Sequence, residues 1–284
     1  LANNVHLVGR SFKYHRPRGI MTSGSEEPNA IVQINPGTNR TEPNVRATEV
    51  EIYEGLEASS QNCWPSVEFD IGGINNFLSP FLPAGFYYKT FMWPASFWEK
   101  YEFFIRHSAG LGKSPTSSDP DIYDHRNVHC DVLVIGAGIS GILAAKNAAK
   151  NNFKTLLVEE KNELGGSTIY ENNEFNKIDN KTPSEWLKKE IEELTDIKNL
   201  EIKTRTSVAA YHQYNYLLAR ENLTDHLEAK DKKNKIRQRL FKIRAKKVIL
   251  ATGSLERPLI FNHNDRPGIM LSSAVKKYSE FYGV

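Results

Sequence analysis

The sequence has little cysteine and no long apolar run. Its 284 residues contain two cysteines, Cys63 and Cys130, which are too few for a disulfide framework or for a four-thiolate metal centre. No apolar run approaches the roughly 20 residues that cross a bilayer. The opening residues lack the apolar core and small-residue cleavage site of a secretory signal. These absences predict a protein of the reducing cytoplasm that does not enter a membrane.

The sequence also lacks a strong excess of charge of one sign. Its 37 basic residues oppose 34 acidic ones, for a net charge of +3, so a general attraction to polyanions is weak. The basic stretch from Lys230 to Lys247 is punctuated by β-type residues, which favours a solvated hairpin over a nucleic-acid site. The eight histidines show no metal-ligand spacing. We therefore predict neither a nucleic-acid partner nor a metal site.

The composition changes along the chain. Residues 1–110 hold short β-type runs and an aromatic stretch, Phe86 to Phe104, that we expect to lie over another surface. Residues 111–130 are polar and are predicted to form a linker. Residues 131–284 alternate β and helical patterns, which predicts a truncated dinucleotide-binding domain. Because the sequence starts at Leu1 and stops directly after a helical pattern, we expect a piece of a larger subunit.

Three glycines in a GxGxxG pattern lie between the apolar run DVLVI and a helical pattern. Gly136 permits a tight turn, Gly138 lets a pyrophosphate approach the backbone, and Gly141 lets the helix pack closely on the sheet. The N–H groups at the helix start would face the phosphates. The pattern predicts a three-layer Rossmann-type α/β domain with a parallel sheet, incomplete at its C-terminus.

An acidic residue follows the next β run, where such folds bind the adenosine ribose. Glu159 comes 18 residues after Gly141, close to the expected position of the ribose-binding carboxylate. Glu159 and Glu160 would together repel a 2′-phosphate and so disfavour NADP, although Lys161 weakens this argument. NAD and FAD remain equally compatible with these residues.

Two further glycine features are expected at the same crevice. Gly165 and Gly166 form a pair shortly after Glu159 and would let backbone approach a ligand. A later β run, KKVILATGS, ends in Thr252 and Gly253, and the carboxyl ends of parallel strands meet at the ligand crevice of open α/β sheets.

Three long runs resemble a known family: VHLVGRSFKYHRPRGIMTSGSEEPNA, GFYYKTFMWP and ILATGSLERPLIFNHNDRPGIML are similar to the α subunit of heterotetrameric sarcosine oxidase. The resemblance covers essentially the whole chain. It implies oxidative demethylation of sarcosine to glycine with hydrogen peroxide, and with formaldehyde or methylenetetrahydrofolate. It also implies β, γ and δ partner subunits, with tetrahydrofolate bound by a C-terminal part that this sequence does not include.

The resemblance further implies NAD in this chain, with FAD in the β subunit and FMN at the α–β contact. It places no catalytic residue here. Ser207 and Val208 become candidates for the adenine side. The predicted cofactor-binding residues are Gly136, Ala137, Gly138, Ile139, Ser140, Gly141, Glu159, Glu160, Gly166, Ser167, Val208, Thr252 and Gly253.

The N-terminal segment resembles the later part of a ferredoxin-like domain, which in some relatives holds a 2Fe-2S cluster. Where that loop would carry thiolates, residues 21–26 read MTSGSE. A cluster of this kind needs four soft ligands. We therefore predict no iron-sulfur cluster in this chain.

Two alternatives remain open. The nearest alternative is the α subunit of an FAD-binding opine oxidase, proline dehydrogenase or cyanide-forming glycine dehydrogenase, although the cluster-type cysteines of those enzymes are missing here. In a different class, it would be a non-catalytic scaffold with a structural dinucleotide and a subunit interface at Phe86 to Phe104. Visible flavin absorbance would separate an FAD protein from a NAD protein.

Overall fold

A computed structural model describes residues 1–35, 41–81, 85, 91–112, 114–171 and 176–284. The chain forms two compact units. The first contains Leu1–Asp119, Glu256–Tyr278 and Val284, and the second contains Pro120–Leu255 and Ser279–Gly283. The domain boundaries predicted from the sequence stay a prediction. None of the described helices has the length and apolar character needed to cross a bilayer.

The first unit contains two small antiparallel sheets. One pairs β1 with β2, and the other has the order β4-β3-β5. The elements that precede the second unit are β1 (Gly9–Arg10), β2 (Pro17–Arg18), β3 (Ile31–Asn35), β4 (Glu42–Arg46), β5 (Glu57–Ser60), α1 (Ile74–Phe77) and α2 (Trp98–Ala109).

The described part of the first unit buries mainly polar side chains. Its buried apolar residues are Ala30, Ile34 and Ala274, whereas its buried polar residues are His15, Thr22, Glu27 and Asn62. Buried polar groups are stable only when hydrogen-bonded. The buried polar groups of this unit therefore need hydrogen-bond partners within it.

The predicted aromatic surface is only partly described. Residues 86–90 lie outside the described residues. In α2, Phe103 and Phe104 are exposed and meet edge to face with ring centroids 5.7 Å apart. The expectation that this stretch covers another surface stays a prediction.

The second unit is built on a six-stranded sheet with the order β8-β7-β6-β11-β10-β9. Strands β8, β7, β6 and β11 run parallel to one another. Strand β10 pairs antiparallel with β11 on one side and with β9 on the other. Its elements are β6 (Ile122–Ile135), α3 (Ile139–Lys150), β7 (Thr155–Val158), α4 (Pro183–Thr195), β8 (Leu200–Lys203), β9 (Thr206–His212), β10 (Tyr216–Asn222), α5 (Ala229–Lys232) and β11 (Ile236–Leu250). The last described helix of the chain is α6 (Ser272–Glu280). This topology confirms the predicted Rossmann-type α/β domain, while the three-layer arrangement stays a prediction.

Alternate residues of β6 enter two separate cores. Leu133 and Ile135 belong to a cluster with residues of β10 and β11. Val132 and Val134 belong to a second cluster that includes Trp186 of α4 and Ile142 of α3. Because successive side chains of a strand point to opposite faces, both faces of this central strand are buried.

Helix α4 begins at a reciprocal cap. The Thr182 side chain accepts from the Glu185 backbone N–H, the Glu185 side chain accepts from the Thr182 backbone N–H, and Pro183 occupies the first turn. This reciprocal capping satisfies two N–H groups that the helix itself leaves open. Trp186, in the same turn, is 2% exposed and anchors the helix on the sheet.

Residues 122–130, which the sequence analysis places in a linker, form the first part of β6. They pair in parallel with the first part of β11. The pairing is supported by ion pairs rather than by apolar alternation: Arg239 Nε lies 2.8 Å from Asp124 Oδ2, and Arg237 Nη1 lies 3.0 Å from Asp121 Oδ2. The polar composition of this strand made it resemble a loop.

Candidate functional site

The glycine-rich turn leaves β6 with backbone that only glycine fits well. Gly136 has φ +95°, and a Cβ atom at this position would lie 2.4 Å from the backbone oxygen of Ala251. At Gly141 a Cβ would lie 1.8 Å from the backbone oxygen of Gly136. The first glycine therefore allows the turn, and the second allows α3 to approach it.

Open space lies beside the middle glycine. A Cβ at Gly138 would have no heavy atom within 4 Å, and Gly166, with φ +56°, would place a Cβ 3.1 Å from Gly138 Cα. The Gly165 backbone N–H donates to the Ala137 backbone oxygen at 2.7 Å. The glycine pair and the turn thus form a crevice whose walls carry no side chains at these positions.

Helix α3 begins at this crevice. Gly138 is its N-cap, and no side chain caps the helix start. The first N–H groups of a helix lack acceptors within the helix and carry a partial positive charge. Ile139 and Ser140, in the first turn, are exposed. The arrangement suits an anionic group such as a pyrophosphate.

The carboxylate of Glu159 joins the crevice from the end of β7. Its Oε2 accepts from the Ala137 backbone N–H at 2.7 Å, and its Oε1 accepts from the Lys161 backbone N–H at 3.0 Å. The residue is 8% exposed. A carboxylate has about four acceptor positions, so two remain for ligand hydroxyls.

Two further predicted cofactor-binding residues, Glu160 and Ser167, directly follow Glu159 and Gly166 in the sequence. Glu160 is exposed, and its Oε1 lies 3.3 Å from Lys161 Nζ, so part of its negative charge is offset locally. Ser167 is exposed beside Gly166.

The end of β11 reaches the same crevice. The Ala251 backbone N–H donates to the Ile135 backbone oxygen at 2.8 Å. The Cα atom of Thr252 lies 3.3 Å from the Cβ position built on Gly136, and Gly253 has φ +70°. Both Thr252 and Gly253 are exposed.

Strand β9 begins beside the acidic residue. The Thr206 backbone N–H donates to the Glu159 backbone oxygen at 2.8 Å. Ser207 and Val208 follow in β9, where Val208 packs against the sheet cluster of β6, β10 and β11. The sequence did not reveal this approach, because it depends on the short return from β8 to β9.

A second buried carboxylate organises the first unit. Glu27 is 0% exposed, and its Oε2 accepts from the backbone N–H groups of Met21 and Thr22 and from the Thr22 hydroxyl. Its Oε1 accepts from the backbone N–H groups of Asn29 and Ala30. Five donors thus converge on one carboxylate in the loop that follows β2.

Comparison with known proteins confirms the resemblance stated above. The chain is 49% identical over 285 residues to the sarcosine oxidase subunit alpha of Rhizobium meliloti (strain 1021), which covers 100% of this chain and 28% of that protein. It is 33% identical over 286 residues to the sarcosine oxidase subunit alpha of Corynebacterium sp. (strain U-96), again over 100% of this chain and 25% of the relative. The chain therefore spans about a quarter of the length of these relatives.

A solved structure shares the fold. The chain resembles the crystal structure of L-proline dehydrogenase from P. horikoshii with a TM-score of 0.58 and 18% identity, over 98% of this chain and 41% of that one. At this level of identity the likeness concerns the fold alone.

The comparisons overturn one prediction. Residues 1–63 match the family described as a 2Fe-2S iron-sulfur cluster binding domain, so the predicted absence of an iron-sulfur cluster, and with it the predicted cofactor set, is contradicted. The described side chains do not by themselves fit four thiolate ligands. Cys63 is the single cysteine of residues 1–63, and Glu27 occupies the centre of the loop after β2. We assign no chemical step to a cluster.

The crevice and its glycines lie within a second family match. Residues 130–279 match the family described as pyridine nucleotide-disulphide oxidoreductase. This match covers more than half of the chain and includes the second part of β6, together with α3, β7 and β11. The chain therefore belongs to the pyridine nucleotide-disulphide oxidoreductase family.

Proposed function

We propose that the crevice at Gly136–Gly141 binds an adenine dinucleotide. The observation that carries this proposal is the open backbone at Gly138, which faces Gly166 at the start of α3. A pyrophosphate placed there would meet backbone N–H groups and no side chain.

The proposed contacts fall into groups according to the part of the dinucleotide that each residue would contact. Gly136, Ala137, Gly138, Ile139, Ser140 and Gly141 would hold the pyrophosphate, and Gly166, Ser167, Thr252 and Gly253 would line its other side. Glu159 would accept from the ribose hydroxyls, and Glu160 would help to exclude a 2′-phosphate. Val208 would lie toward the adenine.

The residues of this chain would bind and orient the dinucleotide. When bound, the nicotinamide or isoalloxazine ring of such a dinucleotide supplies hydride transfer. The carboxylate of Glu159 would fix the adenosine half while the glycine backbones fix the pyrophosphate. We assign no acid, base or nucleophile to this chain.

For the whole protein we propose the α subunit of a multi-subunit sarcosine oxidase. The overall reaction would convert sarcosine, oxygen and water to glycine, formaldehyde and hydrogen peroxide, or transfer the one-carbon unit to tetrahydrofolate. The support is the 49% identity across the whole chain to a sarcosine oxidase subunit alpha. The partners would be β, γ and δ subunits, and the N-terminal segment would be ferredoxin-like.

The reaction is tested on the complete protein purified with its co-expressed partner subunits. Sarcosine should drive stoichiometric formation of hydrogen peroxide and formaldehyde, whereas proline, at equal concentration, should not. Peroxide formed from proline but not from sarcosine would contradict the proposed substrate.

A further inference from the structure

We propose that a cleft in the first unit binds an oxyanion, the phosphate or carboxylate group of a small organic molecule. The cleft has a volume of about 610 Å³, which lies within the range of roughly 300–1,000 Å³ typical of ligand pockets. Its lining comprises Arg16, Pro17, Arg18, Asn76, Phe261, Asn262, His263, Asn264, Asp265 and Arg266. All of these residues belong to the first unit, and none of them is among the residues proposed to line the dinucleotide crevice.

The single acid of the lining is neutralised within the cleft. The Arg18 Nη1 lies 2.5 Å from Asp265 Oδ2 and donates to the Asp265 backbone oxygen at 3.2 Å. Because this pair cancels, the charges of Arg16 and Arg266 are left over. The cleft therefore carries an excess of positive charge, which attracts anions.

Arg16 is held in a fixed orientation with part of its guanidinium open. Its Nε donates to Asn76 Oδ1 at 2.9 Å, and its guanidinium carbon lies 4.9 Å from the centre of the Tyr14 ring. These contacts fix the guanidinium plane and use none of its terminal nitrogens. Two terminal nitrogens in one plane match the two oxygens of a phosphate or carboxylate.

Arg266 and His263 add further donors to the lining of the cleft. Within the described residues, neither side chain takes part in a hydrogen bond or an ion pair. Positively charged groups that line one cleft repel one another unless a negatively charged acceptor binds there. An oxyanion would supply that acceptor.

The wall formed by residues 261–266 is preformed. The Asn264 backbone N–H donates to the Phe261 backbone oxygen at 3.3 Å, and the Arg266 backbone N–H donates to the His263 backbone oxygen at 3.2 Å. The Asn264 side chain donates to the Leu259 backbone oxygen at 2.7 Å. A preformed site loses little entropy on binding. Phe261, 52% exposed at the cleft, adds an apolar wall that favours an organic anion over a bare ion.

The test uses the complete protein with its co-purifying subunits and inorganic phosphate as the probe. Titration calorimetry at low ionic strength should give saturable binding to the wild type. Arg266→Gln should weaken binding about tenfold or more, the loss expected for one charge-assisted contact. Arg106→Gln removes the same charge from an exposed arginine paired with Glu102 on α2, and it should leave binding unchanged.

Two further arms identify the source and the place of binding. Malonate in place of phosphate distinguishes a carboxylate ligand from a phosphate ligand, and preference for either supports an oxyanion site. The Gly138→Asp substitution removes binding at the start of α3. Phosphate binding at the cleft should survive this substitution. The proposal is overturned by the absence of saturable binding to the wild type with either probe, or by equal affinities for wild type and Arg266→Gln.

Discussion

The carboxylate of Glu159 accepts a hydrogen bond from the backbone N–H of Ala137, with 2.7 Å between oxygen and nitrogen. This bond connects the end of β7 to the glycine-rich turn at the end of β6. Because Ala137 donates to the carboxylate, the turn is held in one orientation before a ligand arrives. The acidic residue thus has a structural contact as well as a proposed ligand contact.

Glu159→Gln should weaken dinucleotide binding about tenfold or more. An amide keeps the shape of the side chain but loses the negative charge, and hydrogen bonds to charged groups contribute about 1.5–3 kcal/mol. The measurement is equilibrium titration of the stripped complex with the dinucleotide that it releases. Glu160→Gln is the matched control, because Glu160 is exposed, and we expect a smaller change. Equal losses in the two variants would contradict the role assigned to Glu159.

Gly141→Ala and Gly138→Ala should separate folding from binding. A Cβ at Gly141 would lie 1.8 Å from the Gly136 backbone oxygen, whereas a Cβ at Gly138 has open space. We expect Gly141→Ala to lower the free energy of unfolding by about 1–3 kcal/mol, as overpacking does. Gly138→Ala should leave the thermal midpoint nearly unchanged and weaken dinucleotide binding. A thermal midpoint lowered equally by both substitutions would contradict this assignment.

Glu27→Gln should destabilise the first unit. The buried carboxylate accepts from five donors, and an amide would turn an NH₂ group toward some of them. Losing charge-assisted hydrogen bonds at a buried site costs about 1.5–3 kcal/mol. Hydrogen exchange of the Met21 and Thr22 amides should accelerate. Glu26→Gln, at a partly exposed neighbour, provides the control, and equal protection in the two variants would count against the role of Glu27.

Acid should weaken the contact between α3 and α4. The hydrogen bond from Lys146 lowers the pKa of Glu193 from 4.5 to about 2, with Lys189 acting in the same direction. Since the folded pKa lies below the unfolded one, this contribution is present above pH 4.5 and is lost as the pH falls toward about 2. The thermal midpoint measured from pH 6 downward should therefore fall in this interval.

Lys146→Met removes the cation of that contact and provides the comparison. The variant should show a shallower loss of stability across the same acidic interval, because the pKa of Glu193 would return toward its ordinary value. Parallel pH profiles for the variant and the wild type would contradict the assigned contact.

The sequence predicted the dinucleotide fold from local patterns. The GxGxxG turn and the apolar strands on either side of it depend on neighbouring residues, and each was found where expected. It did not predict the strand at residues 122–130, because cross-strand ion pairs rather than apolar alternation stabilise it. The bond from Ala137 to Glu159 and the start of β9 beside Glu159 depend on tertiary packing, which spacing alone does not encode.

The most direct test of the account identifies the nucleotide that the crevice holds. The complete protein is purified with its partner subunits, denatured, and its released nucleotides are separated chromatographically and quantified per α subunit. Gly138→Asp places a carboxylate in the open space beside the turn, and Gly73→Asp introduces the same change in the first unit, where a Cβ also meets no heavy atom within 4 Å. We predict that the wild type and Gly73→Asp release an adenine dinucleotide that Gly138→Asp lacks, whereas an unchanged amount of every nucleotide in Gly138→Asp would contradict the proposed site.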